Sequence, residues 1–462
     1  MTLDVLILSR IQFGLTGAFH FIFPALSIGL AWLNVIFLAK HRKTQSEDDL
    51  RLAYFWINVF CVTFAMGVAT GVVMVFQFGS NWGDYTNYVG NMFGAPLAAE
   101  AIIAFFLEAT FMGILIWGRN KVSQGLYRVS AFLVAFGATV SAFLIIAADS
   151  WMQTPAGYQK LPNGDPVLDE YGRPLLDNFL EMVFNPSTMP RFTHTIVGCM
   201  IAASMMVLGI SAWFLLKKQK QQFALKSMRV AIVVFLIFSV TQWVVGHWHT
   251  VQVVEYQPAK LAAFEGLFET DEGVELLLFG IPNAETGETT AKIGVPKLLS
   301  FLATGKFSGE ESTVQGLNDF DPSEWPPLLM SFFSYRAMLG FGTFFLLMSL
   351  WGAFLMYRKK LETSNAFLRI AMYTIPLGVL ATEFGWMSAE IGRQPWAVYG
   401  LLKTENAVSA TVPAVQVLLS IVLFLALYVI FVGCWIFLVK HKMENGPDVI
   451  DIGNTAEGRL EA

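Results

Sequence analysis

The chain is poor in charge and in reactive side chains. Asp, Glu, Lys and Arg make up 14% of its 462 residues, and it has six histidines and three cysteines. Cys61, Cys199 and Cys434 all lie in apolar runs, so neither a disulfide framework nor a cysteine metal site is suggested. No GxxxxGK[ST] or GxGxxG opens a helix after a strand, which argues against nucleotide-driven chemistry. The net charge of −5 is too small and too dispersed to imply nucleic acid as a partner. Internal repeats, heptad series and low-complexity tracts are also missing. In place of charge, 55% of the residues are hydrophobic and the mean hydropathy is +0.55. A soluble core cannot bury that much apolar surface, so the chain reads as a polytopic protein of the lipid bilayer.

Apolar stretches long enough to span, about 20 residues or more, lie near 12–39, 52–78, 95–117, 126–148, 188–216, 229–250, 328–357, 366–390 and 411–439. The expected fold is an all-α integral membrane protein of about nine transmembrane helices. The first run is longer than a signal-peptide core and has no cleavage pattern after it, so it reads as a retained helix. Basic residues follow alternate spans: Lys40, Arg42, Lys43 and Arg51; Arg119, Lys121 and Arg128; Lys217, Lys218, Lys220, Lys226 and Arg229; Arg358, Lys359, Lys360 and Arg369. Residues 79–94 hold no Lys or Arg. By the positive-inside rule the N-terminus is outside and the C-terminus inside. Residues 1–250 then carry the first six helices with an outer loop at 149–187. A long acidic outer loop fills 251–327, three helices fill 328–440, and 441–462 is a cytoplasmic polar tail. Connections as long as the two outer loops are expected to be functional. Within the second, Gln257–Thr270 reads as a short amphipathic helix that could lie along the membrane face.

Residues Gly385–Trp396, Gly-Trp-Met-Ser-Ala-Glu-Ile-Gly-Arg-Gln-Pro-Trp, place a carboxylate and a guanidinium where the chain meets the membrane edge. Trp386, Glu390 and Arg393 fall on one helical face. An ionisable group there marks a functional site, or else the Glu–Arg pair only pins a helix end. His20 sits inside the first span and His194 opens the fifth, while His41 and His441 lie among lysines at inner helix ends. A lone His on an apolar face is either a hydrogen-bonded core residue or a ligand. Placed on one depth scale, His20, Glu100, His194, Met338 and Glu390 all come within roughly 15 Å of the outer surface. His194 with Met338 is a six-coordinate heme pairing suited to electron transfer. His20 and Glu390 are candidates for iron with an open position, as oxygen chemistry requires. Glu100 and Glu108 lie about two turns apart on the third span, spaced as a proton relay or as structural carboxylates. Arg10, Arg336 and Arg393 stand at outer helix ends, placed for heme propionates or, for Arg10, for lipid headgroups.

The pattern Gly-Trp-x-x-x-Glu-x-Gly-Arg-Gln-Pro-Trp at 385–396 resembles the signature of subunit I of the cytochrome bd-type quinol oxidases. In the same order come Ser-Arg-Ile-Gln-Phe at 9–13 with His20, Pro-Leu-Ala-Ala-Glu at 96–100 with Glu108, and Trp-Met-Gln-Thr-Pro at 151–155. His194, Lys-Leu-Ala-Ala-Phe-Glu at 260–265 and Arg-Ala-Met at 336–338 complete a resemblance that runs from about residue 9 to 440.

The resemblance implies that His194 and Met338 ligate a low-spin heme b, with Arg336 near its propionates. It implies that His20 and Glu390 ligate two high-spin hemes, one b and one d, with Trp386 and Arg393 beside them. Glu100 would lie at the oxygen-reducing heme, as a candidate iron ligand, and Glu108 on the proton path to it. Lys260 and Glu265 would belong to the quinol site, in a 251–327 loop of the short class. Gly-His-Trp-His-Thr at 246–250 carries no ligand role, which leaves His247 and His249 to packing or quinol-loop contacts. The implied activity is quinol oxidation outside and reduction of dioxygen to water with protons from inside, building a proton motive force without pumping. The implied setting is a bacterial or archaeal cytoplasmic membrane, beside a membrane subunit II and, in some complexes, small single-helix subunits. Two rival readings remain at this stage: a transporter or channel using the intramembrane Glu and Arg, and an electron-transfer cytochrome without oxygen chemistry.

Overall fold

A computed structural model describes residues 4–447. The membrane part is helical throughout. In chain order the long elements are α1 (Val5–Thr44), α2 (Glu47–Gly79), α3 (Gly90–Ala99), α4 (Phe106–Trp117), α5 (Gln124–Gln153), α6 (Thr188–Leu216) and α7 (Gln221–Tyr256). A short α8 (Pro258–Glu265) begins the long 251–327 loop. After it come α9 (Leu328–Tyr357), α10 (Asn365–Tyr373), α11 (Ile375–Ile391) and α12 (Ala414–Asn445). Among the described residues, eight segments are long and apolar enough to cross a membrane, and the bent pair α10–α11 makes a ninth. All nine expected spans are present, most of them longer at both ends than hydropathy alone marked.

Local chemistry explains the ends and breaks. Asp4 caps α1 by accepting from the Leu6 and Ile7 amides, and Ser123 caps α5 through Leu126. The eighth span is not one rod, because α10 and α11 meet at 45° around Thr374. Pro376 supplies the reason: it lacks an N–H for the preceding turn and suits a helix start. The third span is interrupted by a π-helical segment, Glu100–Phe105, between α3 and α4.

The centre of the bundle is α6. Of its most apolar window 89% is buried, against 11% for α12, which leaves α12 on the perimeter. Helix α6 packs on α1, α5, α7, α10 and α11, and small residues let it do so. A Cβ on Gly29 of α1 would stand 2.5 Å from the Ala203 Cβ of α6, so only glycine permits that approach.

The loops depart from the all-α expectation. The 251–327 loop carries an antiparallel hairpin, β1 (Leu276–Asn283) with β2 (Glu288–Val295), in a register that pairs Ile281 with Thr290. The 149–187 loop is ordered by isolated bridges such as Tyr158 with Leu176, and by a short helix, Phe179–Val183. The amphipathic surface helix expected at Gln257–Thr270 is corrected. Helix α8 is buried from Ala259 to Glu265 and packs against α7 and α9, so it is a covered strut rather than a membrane-face helix. His41 is likewise buried, and its Nδ1 lies 3.0 Å from the Ser46 carbonyl oxygen at the end of α1. Of the tail expected at 441–462, residues through Asn445 continue α12, and those from 448 onward lie outside the described residues.

Candidate functional site

His20 projects from α1 toward α2. Its Nδ1 is 3.0 Å from the Thr70 hydroxyl, which itself donates to the carbonyls of Met66 (2.9 Å) and Gly67 (3.1 Å). With its own proton committed, Thr70 accepts from Nδ1–H, and the lone pair of His20 is left on Nε2. His194, on α6, has its Nε2 3.0 Å from the Gln242 amide of α7. Its Nδ1 is buried without a partner, as is Gln242 Oε1. His249 packs edge-on at 5.4 Å between ring centroids, whereas His247 is exposed, so the packing role read for this pair holds for His249 alone.

A glycine stands opposite each of three candidate ligands. A Cβ on Gly71 would lie 3.2 Å from His20 Cε1, one on Gly246 would lie 3.6 Å from His194 Cε1, and one on Gly385 would lie 3.0 Å from Met338 Sδ. Trp386 covers Gly17 of α1 so closely that a Cβ there would meet the indole at 2.5 Å. Helix α11 therefore touches α9 beside Met338 and α1 one turn from His20.

Beyond the end of α11 lies a dense polar network. Arg393 follows the helix instead of continuing it, which corrects the single-face reading, yet its Nη2 still donates to Glu390 Oε2 at 2.5 Å. Its Nη1 donates to the Ala397 carbonyl at 2.6 Å. Glu390 Oε1 accepts from Gln153 (3.0 Å) and from Arg191 (3.4 Å), and Arg191 is also paired with Asp149. Lys260 of α8 reaches the same place, donating to Gln153 Oε1 (2.8 Å), the Ala389 carbonyl (2.9 Å) and Gln257 Oε1 (3.1 Å). Burial, reinforced by the charge of Arg191, pushes the Lys260 amine well below the usual lysine range. At the other end of α8, Glu265 is ion-paired with Arg336, two residues before Met338. Burial pushes the Glu265 carboxyl upward, and Arg336 pulls against that shift.

Glu100 opens the π segment and accepts from Ser141 of α5 at 2.8 Å, while Glu108 is buried within α4. Neither belongs to the hydrogen-bonded network around Glu390 among the described residues. Arg10 is exposed. The sequence reading missed Thr70, Gln242, Asp149, Gln153 and Arg191. Of these, only Gln153 had a signal, lying inside the Trp-Met-Gln-Thr-Pro motif.

Within the 251–327 loop, a cavity of about 300 Å³ is lined by Glu265, Leu267, Val274, Leu277, Lys292 and Leu299. It lies between α8 and the hairpin and has Glu265 in its wall.

The fold and site define a multi-pass integral membrane protein, with histidine, thioether and carboxylate side chains on helices from several parts of the chain. Residues 8–447 match the model of cytochrome bd terminal oxidase subunit I, and the chain belongs to that family. It is 36% identical over 454 residues to cytochrome bd ubiquinol oxidase subunit 1 of Bacillus subtilis, covering 96% of this chain and 94% of that one. It is 31% identical over 513 residues to cytochrome bd-II ubiquinol oxidase subunit 1 of Escherichia coli, covering 97% and 98%. The solved structure of bd oxidase from Geobacillus thermodenitrificans superposes with a TM-score of 0.87 at 29% identity, covering 96% of this chain and 99% of that one. The protein is thus a multi-pass subunit of a bacterial respiratory quinol:oxygen oxidoreductase of the cytoplasmic membrane, and the transporter reading is set aside.

Family membership implies heme, and the residues fit it. Among the described residues, no group of three or more His, Cys, Asp or Glu side chains converges to hold a bare ion. Single axial donors and an orphaned His194 nitrogen suit a macrocycle that brings its own equatorial nitrogens.

Proposed function

We propose that this subunit oxidises quinol at its outer face and supports reduction of dioxygen to water with protons drawn from the inside. His194 and Met338 would hold a low-spin heme b. His20 and Glu390 would hold the two high-spin hemes, one b and one d, with Glu100 beside the oxygen-reducing one as a candidate iron ligand. Bound there, these groups supply electron transfer and an iron at which oxygen is reduced.

The observation that carries the reading is α8. Its two buried charged side chains join the loop cavity to both halves of the site, Lys260 beside Glu390 and Glu265 on Arg336 next to Met338. A quinol head in the cavity meets Glu265 as acceptor for a hydroxyl proton, and Lys260, at the other end of α8, ties that helix to the Glu390 side through the Ala389 carbonyl and Gln153. Protons released on this side leave to the outside. Arg336 and Arg393 would bind propionates, and Trp386 fills the gap between α11 and α1. Glu108 and then Glu100 pass protons from the inside to oxygen. Because quinol protons leave on one side and substrate protons enter from the other, charge separation builds a proton motive force without pumping.

A membrane subunit II, with small single-helix subunits in some complexes, would cover the lipid-facing side where α12 is almost wholly unburied. The test is steady-state quinol kinetics of Lys260→Ala and Glu265→Ala beside their visible spectra. A raised quinol KM with intact heme spectra supports the reading, and normal quinol kinetics overturns it.

A further inference from the structure

Glu383 is an intramembrane carboxylate that the site described above does not use. It lies within α11, three residues before Trp386 and seven before Glu390, so the three side chains share one helical face. Along the axis Glu383 stands about 10 Å inward of Glu390. Trp386 packs on Gly17 of α1, and His20 follows Gly17 by three residues. The first and eighth spans run in opposite directions. His20 and Glu383 therefore both fall about one turn inward of the Gly17–Trp386 contact.

Both carboxylate oxygens of Glu383 are buried, and neither has a hydrogen-bond partner among the described residues. The elements packed on α11 are α12's neighbour α1 together with α6, α9 and α10. Their charged groups and histidines are engaged elsewhere or exposed. On α6, Arg191 is held by Asp149 and Glu390, and His194 by Gln242. On α9, Arg336 is held by Glu265. On α1, His20 is held by Thr70 and Arg10 is exposed, and on α10 Arg369 is exposed. On the same strand of chain as Glu383, Glu390 is held by Arg393. A carboxylate with no cation or donor in reach is among the costliest groups to bury ionised, and it is cheapest to keep where a nearby charge changes sign during function. Every other intramembrane acid named above has a partner or a place on the proposed inward path; Glu383 stands level with His20, one turn from the Gly17–Trp386 contact, and has no partner among the described residues.

We propose that Glu383 is a redox-linked proton site of the heme cavity. It takes a proton from the inside when the cavity gains an electron, forming the O–H bond of a carboxylic acid as iron is reduced. When that electron passes to oxygen, the O–H bond breaks and the proton follows to the oxygen being reduced. The inference rests on the heme-bearing reading above and adds a residue to it.

The test is a reduced-minus-oxidised infrared difference spectrum of the purified complex, with heme quantified in each sample. Glu383→Gln is expected to lose a carboxylic-acid carbonyl band present in the parent, and Glu383→Asp to restore it at a shifted frequency, both with heme content unchanged. Identical carboxyl bands in parent and Glu383→Gln, at full heme content, would overturn the proposal. If Glu383→Gln does not assemble, Glu383→Asp decides alone: a shifted band supports the proposal and an unshifted one overturns it. A parent complex without heme would instead remove the functional reading itself.

Discussion

Thr70→Val tests how the His20 position is built. Thr70 is fully buried, and its hydroxyl is the acceptor that fixes the His20 Nδ1 proton. Valine keeps the shape of threonine and removes that acceptor, so the cost is chemical and not steric. A buried N–H left without a partner costs about 1–3 kcal/mol. His20 can escape that cost by turning its ring or by moving the proton to Nε2, and either change spoils Nε2 as a ligand. Loss of a hydrogen bond of this kind behind a ligating histidine lowers affinity on the order of 10- to 100-fold. The expected result is a complex that assembles with the low-spin signal of His194 and Met338 intact, while high-spin heme is partly lost or shifted in its spectrum. Thr70→Ser keeps the hydroxyl and should restore the parent spectrum. Heme quantitation with visible and EPR spectra reads the outcome. A Thr70→Val complex with parental high-spin spectrum and heme content would refute the assignment of Nε2 as the coordinating atom.

The other predictions concern separate parts of the site. His194→Ala should remove the low-spin heme signal, and an unchanged reduced spectrum would refute that ligand. Glu108→Gln should slow turnover with heme content near normal, whereas full activity would make Glu108 a structural carboxylate. Quinol oxidation should fall on the acid side. The raised Glu265 carboxyl is ionised only above its shifted value, so this acceptor is lost as pH drops. A pH profile of kcat/KM for quinol should therefore lose part of its acid limb in Glu265→Gln, and an unaltered limb would remove Glu265 from proton acceptance. The same variant leaves Arg336 buried without its counter-ion, which costs about 3–5 kcal/mol and should lower the melting temperature. Unchanged thermal stability would mean that water reaches Arg336.

Hydropathy carried most of the membrane architecture, since a spanning helix must satisfy its own backbone and so declares itself by length and composition. The eighth span is the exception. Pro376 stands at its break, but the apolar run around it reads as one continuous span. Helix α8 shows a different limit. Its alternation of apolar and charged residues is that of a surface helix, and only the fold reveals that α7 and α9 cover it and that Lys260 and Glu265 each find a buried partner. The Gly385–Trp396 stretch was legible because its chemistry is concentrated in one segment. Its partners were not: Arg191, Asp149 and Gln153 lie some two hundred or more residues away in sequence, and no local pattern predicts which ends of helices meet. The π segment that begins at Glu100 left no mark on hydropathy at all, because a change of helical register alters side-chain direction but not composition.

The central claim is that side chains on α1, α6, α9 and α11 hold three hemes of two kinds. A reduced-minus-oxidised absorption spectrum of the purified complex, with pyridine-hemochrome quantitation, tests it most directly. The account predicts heme b together with a red-shifted chlorin band from heme d. Heme b without a chlorin band would contradict the proposed heme complement, and a complex with no heme would contradict the account as a whole.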